Sequence, residues 1–226
     1  FLDGVTQCIS FSSGKDSTCV LILAFMAAVR AVARGAKPVL VILNADTGVE
    51  NPIVHAHARA EMGKAAAYGH SLGIEVRVAV ASPNPLSSWL LRIVGGRALP
   101  SFPQSNSDCS IEWKQRPMQS LRARLLDAIH QGTGREALTL TGSRFAESAA
   151  RADKMEKRGE SASVPFRNKA GELILSPICL WTDDAVWELL GYARNGFSRT
   201  YTDTEDLHGF YADGGWTSCA VINDAI

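Results

Sequence analysis

Short apolar segments alternate with longer segments of helical pattern along much of the chain. This alternation is typical of an α/β fold, in which helices connect the strands of a parallel sheet. We therefore expect a parallel sheet built from strand–helix units. The predicted strands are residues 5–11, 39–44, 75–81, 137–141 and 173–178, and the main predicted helices are residues 15–34, 52–73, 117–132 and 144–157.

The chain can form one hydrophobic core, since 46% of its 226 residues are hydrophobic. We expect one domain over residues 1–190, with residues 191–226 as a loop-rich appendage of that domain. Residues 82–110 are rich in Pro, Ser and Gly and are expected to form an extended loop. A short helix capped by Thr182 is predicted just before the appendage.

Acidic and basic residues are equal in number, at 23 each, so the chain has no strong overall field. Any contact with nucleic acid would therefore be local. The longest apolar run, residues 19–29, is too short to cross a bilayer. We expect a cytoplasmic protein that does not enter a membrane, and a homodimer is compatible with the sequence.

The most informative motif is a polar turn between the first predicted strand and the first predicted helix. A Ser/Gly turn in this position leaves backbone amides at a helix N-terminus, where they can bind phosphate oxygens. Lys15 adds a cation, and the side chains of Ser12, Ser17 and Thr18 add hydroxyl donors. The motif therefore predicts a polyphosphate site, and the alternative is an ordinary polar turn that caps a helix.

The turn is not a Walker A loop. A Walker A loop needs a glycine five residues before Gly14, where Ile9 stands. It also needs serine or threonine directly after Lys15, where Asp16 stands. A different type of phosphate-binding loop is therefore expected.

The turn resembles the fingerprint of PP-loop ATP pyrophosphatases, Ser-Gly-Gly-x-Asp-Ser/Thr, with Ser13 in place of the first glycine. The resemblance implies an adenine-nucleotide α-hydrolase-like fold of about five parallel strands with helices on both faces. It also implies cleavage of ATP to AMP and pyrophosphate through an adenylated substrate. The implied ATP-binding residues in this turn are Ser12, Ser13, Gly14, Lys15, Asp16, Ser17 and Thr18, and Lys15 and Asp16 are also candidate catalytic residues.

Two further segments resemble the phosphoadenosine-phosphosulfate reductase-like branch of that family. The first is Asp46-Thr47-Gly48 after the second predicted strand, which implies nucleoside contacts by Asp46 and Thr47. An ordinary turn is the alternative. The second is the segment 142–151, which is similar to the branch's Gly-x-Arg-x-x-Glu-Ser-x-x-Arg element.

The second segment adds further candidate site residues. The resemblance implies ATP contacts by Gly142, Arg144 and Glu147, and catalytic roles for Arg144 and Arg151. Because the two arginines are seven residues apart, they are expected on one face of a helix, two turns apart. They could bind phosphates or an anionic substrate. The alternative is two solvated arginines that pair with Glu147.

Residues 46–52, 142–151 and 176–187 resemble the ATP pyrophosphatases of DNA phosphorothioation systems, the DndC and SspD type. This resemblance implies a DNA backbone phosphate as the acceptor and a cysteine desulfurase as the sulfur donor. Other phosphorothioation proteins would be partners. Mg²⁺ would bridge the ATP phosphates, with Asp16 as a candidate ligand.

The DndC type implies a four-cysteine iron–sulfur site. Among the five cysteines, Cys109 and Cys219 could match two of its ligands, but the other two ligands are missing. We therefore expect no cluster, which favours the SspD type. A sulfur-carrying role for Cys109 or Cys219 stays open. The other cysteines are expected to be buried thiols, and His55 and His57 are expected to point in different directions.

Two other functions remain open. A reductase of phosphoadenosine phosphosulfate would use a C-terminal redox cysteine, but no Glu-Cys-Gly motif surrounds Cys219. A nucleotide-sensing scaffold would bind ATP without turnover, and Ser13 in place of glycine favours that possibility.

Overall fold

The computed structural model describes residues 4–99, 110–134 and 136–212. It contains a sheet of six strands in the order β3-β2-β1-β4-β6-β5. Neighbouring strands are parallel except for β5 and β6, which are antiparallel. The strands are β1 (Gln7–Ser10), β2 (Val39–Ala45), β3 (Glu75–Ala81), β4 (Leu138–Leu140), β5 (Phe166–Arg167) and β6 (Leu173–Leu175).

The predicted α/β class and the five parallel strands are found, but β5 adds a sixth, antiparallel strand at the edge. This two-residue strand was not predicted, because it is too short to show a hydrophobic period. Its residues pair with β6, in the register Phe166 to Ile174. An antiparallel edge strand on an otherwise parallel sheet is a common arrangement.

Six α-helices accompany the strands in the described ranges: α1 (Lys15–Val32), α2 (Pro52–Ser71), α3 (Arg116–Thr133), α4 (Ala149–Arg158), α5 (Asp183–Arg194) and α6 (Glu205–Ala212). The predicted cap at Thr182 is present, and Asn51 caps a second helix. The Asn51 side chain accepts a hydrogen bond from the Ile53 amide at the start of α2, and Thr182 does the same for Ala185 in α5. None of the helices in these ranges has both the length and the apolar character needed to cross a bilayer.

Three parts of the chain differ from the sequence prediction. The expected loop at 82–110 contains a short 3₁₀ turn at Pro85–Ser87 and a π-helical turn at Leu90–Val94, and its residues 100–109 lie outside the described ranges. A further π-helical turn, Ile111–Gln115, follows it and leads into α3. Residues 144–157 do not form one helix, because Ser148 adopts an extended conformation and caps α4. The appendage contains α6, so it is not all loop in its described part.

Helices cover both faces of the sheet, in agreement with the prediction. Alternate residues along a strand point to opposite faces. Ile9, Leu40 and Ile42 pack with α1, α2 and α5 on one face. Cys8 and Val41 pack with α3 on the other face.

The strand order positions the loops that matter for function. β1 lies between β2 and β4, so the chain runs outward to β2 and β3 and then returns to β4 on the other side of β1. Open parallel sheets bind ligands in the crevice formed at such a switch point, beyond the carboxyl ends of the strands. The turn after β1 and the segment after β4 both begin at this crevice.

Candidate functional site

The turn after β1 is braced by its own side chains. Ser17 Oγ donates to the Gly14 carbonyl at 3.0 Å and accepts from the Ser12 amide at 3.2 Å. Ser13 is fully buried and has a positive φ of 59°. Gly14 is the N-cap of α1 and provides no side-chain cap. The turn is therefore closed by Ser17, and the side-chain partner at the start of α1 comes from outside the turn: the Lys15 amide donates to the Tyr211 hydroxyl at 3.5 Å.

Ser13 has a left-handed backbone conformation, which glycine adopts more readily than other residues. Substitutions by valine and by glycine at this position should therefore have different effects on stability. Ser13→Val is expected to lower the free energy of unfolding by about 2 kcal/mol, because a β-branched residue is strongly disfavoured there. Ser13→Gly relieves strain but makes the unfolded chain more flexible, so its effect is expected to stay below about 1 kcal/mol. Denaturant unfolding measures both changes, and a Ser13→Val variant as stable as wild type would contradict the left-handed turn.

Gly142, which follows β4, lies directly against the first turn of α1. A Cβ atom at this position would lie 3.0 Å from the Asp16 carbonyl carbon and 3.1 Å from the Ser17 amide nitrogen. Both neighbours are backbone atoms, so the chain could accommodate the extra atom only by moving. The glycine predicted to contact ATP therefore sets how closely the segment after β4 approaches the phosphate-binding turn.

Gly142→Ala is expected to lower the free energy of unfolding by roughly 1–2 kcal/mol, because the added methyl group overpacks two backbone segments. Gly132→Ala is the matched control, since a Cβ atom at this helical glycine meets no atom within 4 Å. That control is expected to stabilise the protein by about 0.5–1 kcal/mol through helix propensity. Thermal unfolding of both variants tests the difference, and equal effects of the two would refute the close approach.

Four charged side chains meet at the start of α1. Arg144 is only 1% exposed and donates from Nε to Asp16 Oδ1 at 2.6 Å and from Nη2 to Asp183 Oδ1 at 2.8 Å. Lys15 Nζ lies 3.0 Å from the same Asp183 oxygen and 3.4 Å from Asp16 Oδ2. We refer to Lys15, Asp16, Arg144 and Asp183 as the ion cluster. It joins the turn after β1, the segment after β4 and the start of α5.

The ion cluster shifts the pKa values of its members. Burial alone would lower the pKa of Lys15, but the hydrogen bond to Asp183 and the charge of Asp16 outweigh burial and raise it. The hydrogen bond from Lys15, assisted by Arg144, lowers the pKa of Asp183. Lys15 is therefore a cation and Asp183 an anion at neutral pH.

The two arginines of the 142–151 segment do not share a helical face, which corrects the sequence prediction. Arg144 precedes α4 and has an extended backbone, with φ −130° and ψ 143°. Glu147 lies between them: its Oε1 accepts from the Arg144 amide at 2.9 Å, and its Oε2 pairs with the Arg151 guanidinium. Arg151 thus pairs with Glu147, as one sequence interpretation suggested, whereas the Arg144 side chain belongs to the ion cluster.

A cavity of about 750 Å³ opens beside the turn after β1. Ser12 and Ser13 line it together with the ends of β1 and β2 and residues of α2 and α3, and Arg151 reaches it from α4. Lys114 adds a positive charge to its wall, whereas the charge of Arg122, which also lines it, is offset by a pair with Glu172 at 2.7 Å. Its volume falls within the range of small-molecule sites, about 300–1,000 Å³. Lys15, Asp16 and Arg144 are not among its lining residues.

The end of β2 contributes a polar side chain to this cavity, and the segment after β2 carries the two residues predicted to contact the nucleoside. Asn44 lines the cavity and donates from Nδ2 to the Phe11 carbonyl at 2.9 Å. Asp46 Oδ1 accepts from the Gly48 amide at 3.0 Å, as expected for a tight turn. Thr47 is buried. Asp46 and Thr47 line a separate cavity of about 480 Å³, so the structure places them next to the larger cavity but not in its wall.

Asp46, Glu50 and His55 form a group that was not predicted as a possible metal site. One potential ligand atom of each lies within 4.8 Å of the others. Burial raises the pKa of Glu50, and the nearby Asp46 charge adds to this effect. Asp46 and Glu50 lie in the loop after β2 and His55 lies in the first turn of α2, so the short connection between these two elements brings the three residues together.

The carboxylates differ in how well they fit Mg²⁺. Both oxygens of Asp16 already face cations, so a metal ion there would compete with Lys15 and Arg144. Asp46 and Glu50 offer the oxygen ligands that Mg²⁺ prefers, at the rim of the cavity. The Asp16 assignment therefore stays a prediction that requires one of its ion pairs to open.

Three of the cysteines are buried thiols, as expected. Burial raises the pKa of Cys8 and of Cys19 to about 12 in each case, and it also raises the pKa of Cys179. These three stay protonated at neutral pH and are poor nucleophiles. Cys109 and Cys219, the candidates for sulfur chemistry, lie outside the described residues.

Comparison with known proteins does not identify a family for this chain. Neither a scan against protein-family models nor a search of curated proteins finds a match to this chain. The functional assignment therefore depends on the braced turn, the ion cluster and the cavity beside them.

Proposed function

We propose that this chain is an ATP pyrophosphatase, which cleaves ATP between its α- and β-phosphates to activate an acceptor for sulfur incorporation. The observation that carries the proposal is the turn at residues 12–14. It ends in a helix N-terminus whose N-cap, Gly14, provides no side chain, and it borders a cavity of about 750 Å³ at the carboxyl ends of parallel strands. Helix N-termini of this kind bind phosphate through backbone amides and the helix dipole.

The charges near the turn support a phosphate-bearing ligand. Lys15 stands at the first position of α1, and its side chain is 16% exposed. Arg151 lines the cavity and is half-exposed, so it can reach a ligand while it pairs with Glu147. Arg144 is buried in the ion cluster, and we assign it a positioning role: it holds the start of α1 against α5.

In the proposed reaction an acceptor oxygen attacks the α-phosphorus, and the bond to the bridging oxygen breaks. Pyrophosphate leaves with that electron pair, and the amides of the turn and Lys15 stabilise its charge. Mg²⁺ would neutralise phosphate charge, with Asp46 and Glu50 as candidate carboxylate ligands and Asp16 as the alternative ligand. The terminal sulfur of a persulfide donor then attacks the adenylated phosphorus and displaces AMP, which leaves that sulfur bonded to both the phosphorus and the donor sulfur. A second thiol reduces this S–S bond, releases the phosphorothioate and forms a disulfide with the donor.

The proposed acceptor is a DNA backbone phosphate oxygen, with a cysteine desulfurase as sulfur donor and other phosphorothioation proteins as partners. Lys114 in the cavity wall provides local positive charge for an anionic acceptor, although the chain as a whole is neutral. Arg122 also lines the cavity, but it pairs with Glu172 at 2.7 Å. Contacts between such side chains and a phosphate backbone carry affinity without sequence preference.

The test is to incubate the purified protein with ATP and Mg²⁺, with and without DNA, and to measure AMP and pyrophosphate. Formation of both in equal amounts supports the proposal, and stimulation by DNA supports the acceptor. ADP and phosphate as products would refute cleavage at the α-phosphorus. ATP binding without AMP formation would favour a scaffold, and thiol-dependent sulfite release from phosphoadenosine phosphosulfate would favour a reductase.

A further inference from the structure

The C-terminal helix α6 reaches the start of α1, although the two are far apart in sequence. The Lys15 amide donates to the Tyr211 hydroxyl at 3.5 Å across 196 residues of sequence. The Lys15 ammonium group lies 5.9 Å from the centroid of the same ring. A tyrosine of α6 therefore contacts both the backbone and the side chain of the first residue of α1.

Packing holds the Tyr211 ring in this position. The ring meets Trp187 of α5 edge to face, with centroids 5.1 Å apart, and Trp187 also stacks on His208 at 5.0 Å. The start of α6 is fixed by Thr204, whose hydroxyl donates to the Leu190 carbonyl at 2.9 Å. The position of the phenol is thus set by α5 and α6 together.

The Tyr211 hydroxyl has the chemistry to bind an anion at this helix end. A phenol can accept a hydrogen bond from a backbone amide and donate its own hydrogen to a phosphate oxygen at the same time. Burial raises the pKa of the Tyr211 phenol, so the group keeps its hydrogen at neutral pH. Since this hydroxyl already accepts from the Lys15 amide, a phosphate would be held by the other amides of the turn and would lie next to this donor.

We propose that Tyr211 is a pyrophosphate-binding residue, whose hydroxyl donates to the β- or γ-phosphate held at the start of α1. This inference depends on the proposed function, because it assigns a residue to the same site. It gives the C-terminal helix a direct role: α6 completes the phosphate-binding turn from a distant part of the chain. Binding of the pyrophosphate moiety therefore requires α6 to stay docked on α5.

The experiment compares wild type, Tyr211→Phe and Tyr192→Phe by calorimetric titration with inorganic pyrophosphate and with AMP, both in the presence of Mg²⁺. Tyr211→Phe keeps the ring that packs on Trp187 and removes only the hydroxyl. Tyr192→Phe is the matched control, because its hydroxyl donates to Glu188 on the exposed side of α5. We expect Tyr211→Phe to bind pyrophosphate about 10- to 100-fold more weakly and to bind AMP as wild type does, while Tyr192→Phe binds both normally.

The ratio of pyrophosphate to AMP affinity is the deciding quantity, since a partly unfolded variant would lose both in proportion. An unchanged ratio in Tyr211→Phe, with wild type binding pyrophosphate, overturns the role of Tyr211 and leaves the proposed function intact. A wild-type protein that neither binds pyrophosphate nor forms AMP overturns the proposed function and this inference with it. A loss equal to that of Tyr192→Phe also overturns the role of Tyr211.

Discussion

Lys15→Ala is expected to reduce the formation of AMP and pyrophosphate from ATP by about 100-fold or more. Pyrophosphate gains negative charge as the bond to the α-phosphorus breaks, and Lys15 is the cation at the start of the helix that would hold it. Its pKa is raised by Asp183 and Asp16, so it is charged throughout the neutral range. The measurement is the initial rate of pyrophosphate release at saturating ATP.

Lys157→Ala is the matched control for this prediction. Lys157 also pairs with an aspartate, Asp153, at 2.7 Å, but its side chain is 73% exposed on α4. Its removal is expected to leave the rate within about twofold, because a solvated pair contributes little. Since Asp183 is 63% exposed, the loss of its pair with Lys15 should cost at most about 1 kcal/mol of stability. A folded Lys15→Ala variant that keeps most of the wild-type rate of pyrophosphate release would show that Lys15 takes no part in the reaction.

Much of the fold could be predicted because its signals are local. The alternation of strands and helices, the cap formed by Asn51 and the cap formed by Thr182 each depend on residues close together in the sequence. The turn at residues 12–14 is also local, since its chemistry follows from a Ser/Gly segment between a strand and a helix. These are the features that the structure reproduces within a few residues.

The assembly of the site could not be predicted because it depends on distant contacts. Asp183 follows Lys15 by 168 positions and Arg144 by 39 positions, and no pattern in the sequence links the three. In the sequence Asp183 looks like an ordinary acid in the first turn of a helix. Arg144 looks like a helix surface residue, whereas the structure buries it. Tyr211 lies in a segment that reads as loop, and only the docking of α6 brings it to Lys15.

Arg144→Met is expected to lower the free energy of unfolding by about 3 kcal/mol and the melting temperature by roughly 6–12 °C. Methionine fills much of the space of the buried side chain, but it leaves Asp16 without its shortest partner, the Arg144 Nε at 2.6 Å. Removing one partner of a buried ion pair is costly because the other charge stays desolvated. Arg151→Met is the control: Arg151 is 50% exposed, so the loss of its pair with Glu147 should cost less than about 1 kcal/mol.

Two measurements separate the loss of charge from a packing defect at Arg144. Asp16→Asn, combined with Arg144→Met, should recover part of the lost stability, because the uncompensated charge is removed. The pH dependence gives the second measurement. Because Lys15 and Arg144 lower the pKa of Asp183, the stability from this carboxylate is present above the ordinary aspartate range and is lost as the pH falls through the lowered pKa. The difference in unfolding free energy between wild type and Arg144→Met should therefore narrow as the pH falls below the ordinary aspartate range, whereas a pure packing defect would keep it constant.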